Sequence, residues 1–194
     1  MFITLAFLKE KSACGAGQRY FADHFPEGAE YQDVLDVLAK DNQNDYADWL
    51  MQHVGKTDAV MEIEGDLEVE GNIFFAGFIK VSGFIKASLR IKAGSGIKAG
   101  DGIKAGWGIE AGDGIEAGDG IEAGSGIKAG DGIKAGSGIK AGWGIEAGWG
   151  IEAGDDYGIY AGLRIRISLK AQYAVIIAKE MPKNILLGIF KAKE

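Results

Sequence analysis

Side chains able to do covalent or metal chemistry are few in this 194-residue chain: one cysteine, Cys14, and two histidines, His24 and His53. A lone cysteine closes no internal disulfide, and Cys14 with two histidines does not complete the usual zinc-ligand sets. Both histidines fall in the first sixty residues and are read as structural. No Walker loop, nucleophile elbow or HExxH segment occurs, and the glycines in GxGxxG-like spacing belong to a repeat instead of a strand-to-helix phosphate turn. No catalytic residue, metal or cofactor is therefore expected, and the chain is read as a non-enzyme. The residue types offer non-covalent recognition instead. Trp107, Trp143 and Trp149 stand at glycine-flanked positions expected to point outward, where aromatic anchors serve interfaces. Asp33, Asp36, Asp45 and Asp48 form an acidic set suited to a basic partner surface. These seven are the candidate partner-binding residues.

The element that must carry the tryptophans is a repeat. From Asp66 to Asp155 the chain divides into hexads such as NIFFAG, FIKVSG, GIKAGD, GIKAGW and GIEAGD. The second position is Ile in every hexad but the first, which has Leu67, and the fourth is Val69, Phe75, Val81 or Ala, so both lie on one face of a short strand. Glycine at the first and usually the fifth position is read as giving the freedom of a tight corner. The third position runs Lys80 to Lys104 in five lysines, then Glu110, Glu116, Glu122, then Lys128, Lys134, Lys140, then Glu146, Glu152. Signs that flip in blocks of three predict a triangular coil of 18 residues, in which each of Glu110, Glu116 and Glu122 lies between two lysines. The fold class predicted is mainly β: a three-sided β-solenoid, six residues per face, behind a small α-helical N-terminal domain. The sixth positions then form corner columns, with Trp107, Ser125 and Trp143 in one, Ser95, Asp113, Asp131 and Trp149 in another, and Asp101, Asp119, Ser137 and Asp155 in the third. After Asp155 the phase slips by Asp156 and Tyr157 and resumes as GIYAGL, RIRISL and KAQYAV.

Three segments are expected: an acidic helical head over 1–60, the solenoid over 61–175, and a C-terminal cap or dimerisation segment over 176–194. In the head, Glu30 to Lys40 places Tyr31, Val34, Leu35 and Leu38 on one stripe, Asn44 to Val54 does the same with Tyr46, Trp49 and Leu50, and a shorter helix is read from Cys14 to Phe25. Asn44 or Asp41 is the expected helix cap. The head holds 5 basic and 10 acidic side chains, most of the net −7 of the whole chain. With 47% hydrophobic residues disorder is not expected, and 32 glycines beside 2 prolines exclude a collagen pattern. No run of eighteen uncharged apolar residues occurs, and Phe2 to Leu8 lacks the flanks of a signal peptide, so a soluble protein of the bacterial cytoplasm is expected.

The hexad rhythm resembles that of the hexapeptide acyltransferases, but there a small residue precedes the large aliphatic one by two positions, and here Ala follows Ile; acyl transfer is discounted. DLEVEG, NIFFAG and FIKVSG are more similar to bactofilins, bacterial polymerising scaffolds with triangular solenoids. FLKEKSACGAG, FPEGAEYQDVLDVLAKDN and DYADWLM resemble a module in front of GIKAG/GIEAG repeats in bacterial prophage proteins. That resemblance implies a phage or prophage inhibitor of a host defence complex, of the anti-CRISPR or anti-restriction type. The partner expected is a protein, a host nucleic-acid-binding defence complex, with no membrane and no direct nucleic-acid contact, and a homodimer through the C-terminal end is the further expectation. A bactofilin-like self-associating scaffold is the alternative.

Overall fold

Period-six alternation of Ile, a charged residue and Ala folds into three-residue strands whose ends meet at corners, and these strands stack in parallel. The computed structural model describes residues 1–154, 158–162, 164–167, 175–178, 185–187 and 189–192. Within them, three parallel sheets of eight, six and seven strands form the sides of a triangular solenoid of about six turns. The first face runs from Val60–Ile63 to Ile189–Ala192, the second from Leu67–Val69 to Ile159–Ala161, and the third from Ile73–Phe75 to Ile185–Leu187.

The register is 18 residues: Ile103 pairs with Ile85 and Ile121, and Ile109 with Ile91 and Ile127. The second and fourth positions fill the interior as ladders of Ile and Ala, nearly all of them fully buried. Each buried Ile brings roughly 1.5–3 kcal/mol, so this ladder carries the stability of the rod. On the outside the predicted sign pattern holds. Glu110 lies between Lys92 and Lys128, Glu116 between Lys98 and Lys134, and Glu122 between Lys104 and Lys140. Glu122 accepts both its lysines, at 3.1 and 3.3 Å, and their hydrogen bonds hold its carboxyl below the ordinary range. Two like-charged steps occur, Lys80 under Lys98 and Lys86 under Lys104, and in each the outer neighbour is a glutamate. Exposed pairs of this kind contribute about 0.2–1 kcal/mol each, enough to favour a register without carrying the fold.

Glycine acts differently from the sequence expectation. The fifth-position glycines do not take left-handed φ angles; among the described residues positive φ is confined to Gly28, Gly55, Gly65, Gly71, Ser12 and Asn42. What removes the side chain is the coil beneath. A Cβ on Gly118 would stand 1.8 Å from the carbonyl oxygen of Gly100, and one on Gly124 2.0 Å from that of Gly106. First-position glycines are freer, since a Cβ on Gly114 would meet the Gly132 oxygen at 3.4 Å. The early hexads accordingly carry Asn72, Phe78, Phe84 and Arg90 at that position.

The head contains four helices: α1 (Leu5–Glu10), α2 (Gly15–His24), α3 (Tyr31–Lys40) and α4 (Asn44–Val54). A two-stranded antiparallel pair, Phe2–Ile3 with Ala29–Glu30, ties the chain start to the entry of α3. Tyr31, Val34, Leu35 and Leu38 are buried as their spacing predicts. Helix α1 and the short strand pair have no counterpart in the sequence reading. Neither proposed cap serves α4: its N-cap is Gln43, without a side-chain hydrogen bond.

Toward the C-terminus, Ile159 pairs with Ile139 and Ile165 with Ile145, each two residues further along than the 18-residue register. Asp155 of its corner column and the slip at Asp156 and Tyr157 themselves lie outside the described residues, as do Lys170 to Ala174 of the KAQYAV hexad. On the first face the position opposite Ile151 is held by Ile176, where counting in hexads gives Ala171. The described parts of the 176–194 segment add parallel strands to the first and third faces.

The glycine geometry separates two substitutions of the same chemistry. Gly118→Ala is expected to lower stability by about 1–3 kcal/mol through overpacking against the Gly100 carbonyl. Gly114→Ala, at ordinary contact distance, is expected to be neutral or to stabilise by about 0.4–1 kcal/mol by restricting the unfolded chain. Thermal unfolding of the two variants checks this; equal losses would contradict the close-approach account.

Candidate functional site

The third face departs from the repeat where the head sits. Its first strand carries Phe74 at the position that is Lys92, Glu110, Lys128 and Glu146 in the following coils, and Phe74 and Ala76 are buried in the core of the head, with Leu35, Leu38 and Leu50. The helix α3 substitutes for a further strand through one side chain: Gln32 Nε2 donates to the Phe74 carbonyl at 2.8 Å while the Ala76 N–H donates to Gln32 Oε1 at 3.0 Å. Asn72, the one buried polar residue among those described, is spent in the same seam. Its amide donates to the carbonyl of Ala39 and to Asn42, and its oxygen accepts the Arg90 N–H. Such pairing satisfies backbone and side-chain groups that would be costly to bury alone.

Beside this seam lies a cluster of charges joining α4 to the rod. Asp48 accepts Arg90 at 2.7 Å and Lys92 at 2.5 Å, and the same two cations meet Glu110 at 2.7 and 3.3 Å. Burial pushes the Asp48 carboxyl up, but the hydrogen bonds from Lys92 and Arg90 outweigh it and hold the group below the ordinary carboxylate range. On the opposite edge of the face, Lys56 in the linker after α4 reaches Asp113 of a corner column at 2.8 Å.

Above the head the third face is open. Strand order puts Trp107 and Trp143 at its corner with the second face and Trp149 at its corner with the first. The corner columns are bonded through their backbones: Ser125 N–H donates to Trp107 O, Trp143 N–H to Ser125 O, and Trp149 N–H to Asp131 O. The three indoles are 52%, 66% and 66% exposed. Phe78 shows the contrasting arrangement, its ring lying over Gly96, whereas over Gly126 the nearest group is the Gly144 carbonyl and no indole atom. Trp107, Trp143 and Ser125 wall a groove of about 820 Å³ whose other lining includes Glu110, Lys128 and, at its lower end, Asp45 of α4.

The structure thus assembles Trp107, Trp143 and Asp45 in one groove and places Trp149 on the far edge of the same face. Asp48 is committed to Arg90 and Lys92. Asp33 is exposed in the first turn of α3, and Asp36, one turn on, accepts a hydrogen bond from Gln32. The sequence reading missed Gln32, Asn72, Phe74, Arg90 and Lys92 as junction residues. For Phe74, Asn72 and Arg90 the signal is the break in the repeat itself, an uncharged Phe at position three and Asn or Arg at position one; Gln32 and Lys92 carry no such signal. The two histidines close helix ends: His24 Nδ1 lies 2.8 Å from the Tyr20 carbonyl and His53 Nδ1 2.7 Å from that of Trp49, each ring stacked on the aromatic one turn earlier. Among the described residues no group of three metal-ligating side chains is gathered, and no helix is long and apolar enough to cross a membrane.

The model of one family, the YdhT N-terminal domain, matches residues 1–57. The head is therefore similar to that domain, and the match stops before the first solenoid strand. No curated protein and no solved structure matches the chain.

Because the Asp48 carboxyl titrates lower in the folded chain than when unfolded, its contribution to stability is complete above the unfolded value, about 3.9, and is lost as pH falls through the folded one. Asp48→Asn is expected to lower the thermal midpoint at pH 7 and to lose that difference from the parent chain as both are acidified through the lowered folded-state value. Unfolding followed across this range checks the sign.

Proposed function

We propose that this chain acts without catalysis as a protein-binding module, its partner seated on the third face above the head. One observation carries the reading: the three exposed indoles border the same face, two of them walling a groove that ends on the head. Trp is a favoured interface anchor because a rigid ring buries a large area at small entropic cost. The acidic head, with 10 acidic against 5 basic side chains, favours a partner with a basic surface. It argues against direct contact with nucleic acid, whose affinity comes from neutralising phosphates. A host nucleic-acid-binding defence complex has the required basic surface. Inhibition of such a complex by a phage or prophage protein is the biological role that the resemblance of the repeat and head to prophage sequences supports.

The test is capture from a nuclease-treated bacterial lysate by tagged parent chain and by a variant carrying Trp107→Ala, Trp143→Ala and Trp149→Ala. Exposed rings at corners can be removed without touching the Ile ladder, so far-UV circular dichroism is expected to be unchanged. The captured protein is expected to be lost or weakened by roughly thirtyfold or more, as for anchors contributing about 2 kcal/mol or above. Undiminished capture by the variant would overturn the reading.

A further inference from the structure

A second concave site lies wholly within the head. Cys14 and Phe21 of the α2 region, Leu38 of α3, and Asp45, Tyr46 and Trp49 of α4 line a cleft of about 420 Å³. Its walls are mostly apolar and aromatic, with Ser12 as a neutral polar exception, and Asp45 is the one charged group among the lining residues. Tyr20 narrows it against Tyr46, with ring centroids 5.6 Å apart. A small cleft with aromatic walls and few placed polar groups is the usual form of a site for a single large apolar group. Asp45 also lines the groove between Trp107 and Trp143, so one carboxylate stands where cleft and groove meet.

We propose that this cleft is an anchor site for one aromatic or aliphatic side chain of the partner polypeptide, carried in a segment whose neighbouring Lys or Arg pairs with Asp45. The charge of the wall selects the occupant: the carboxylate stands in the first turn of α4 and favours an apolar group with a cation beside it over one with an anion. The indoles of the groove add cation–π faces for further basic residues of the same segment. The proposal rests on the reading of the chain as a protein-binding module, but on residues different from the tryptophans that test that reading.

Cys14 is exposed and is the only cysteine of the chain, so its alkylation reports occupancy of the cleft directly. The full chain is treated with iodoacetamide in the presence of millimolar acetyl-Gly-Lys-Phe-Lys-Gly-amide or of acetyl-Gly-Glu-Phe-Glu-Gly-amide. The basic peptide is expected to slow alkylation several-fold and the acidic one to leave it unchanged. Asp45→Asn is expected to weaken protection by the basic peptide about two- to fivefold, the size of an exposed ion pair. In the variant lacking Trp107, Trp143 and Trp149, Trp49 is the remaining indole; there the basic peptide is expected to shift the emission while protection of Cys14 persists. No protection by the basic peptide, or equal protection by both, would overturn the proposal. Neither result depends on whether the triple variant captures a partner.

Discussion

The carbonyl oxygens of one coil lie where the side chains of the next would begin. At Gly118, Gly124 and Gly130 a Cβ would fall 1.8 to 2.0 Å from the carbonyl 18 residues earlier, so the coils approach closely only if that position is bare. This contact sets the rest of the arrangement. From Gly94 onward it demands glycine at the fifth position of each hexad, holds the stack to an 18-residue register, and brings Ile over Ile and Ala over Ala in the interior. With second, fourth and fifth positions given over to stacking, the third and sixth vary most, and the first varies in the early hexads. Charge patterning occupies the third and the tryptophans the sixth.

The head is attached by suspending those rules on one face for one strand. Phe74 gives up the charge that its position carries in the following coils and enters the head core, while Asn72 and Gln32 satisfy the backbone that the head covers. Arg90, Lys92, Asp48 and Glu110 then join α4 to the same face. Face three therefore differs from the others from bottom to top: seat of the head below, tryptophan-edged groove above. A partner lying on it would touch both parts of the chain.

Much of this was legible from residue order. The coil length followed from the sign blocks at position three because a wrong register would stack like charges over many coils, and α3 and α4 followed from their stripes. The reason for the fifth-position glycines was not legible. A tight corner and a close neighbour both demand glycine, and only the distances separate them. Nor could the sequence say that Asp48 is engaged within the chain while Asp45, three residues earlier, opens onto two concave surfaces, since that depends on which face the head covers. The first-face position of Ile176 escaped hexad counting because it follows its partner Ile151 by more than one 18-residue coil. Helix α1 is six residues long, too short for a periodic stripe to show.

The claim on which the account turns is that the head is held on the third face and no other. A nitroxide placed on Cys14 tests it directly, read as paramagnetic broadening of the backbone amides of the solenoid. Broadening that is strongest on the lower strands of the third face, around Ile91 and Ile109, and weaker at the matching heights around Ile85 and Ile97 is the predicted result. Equal broadening on all three faces, or none, would show a head that is not seated there and would contradict the account.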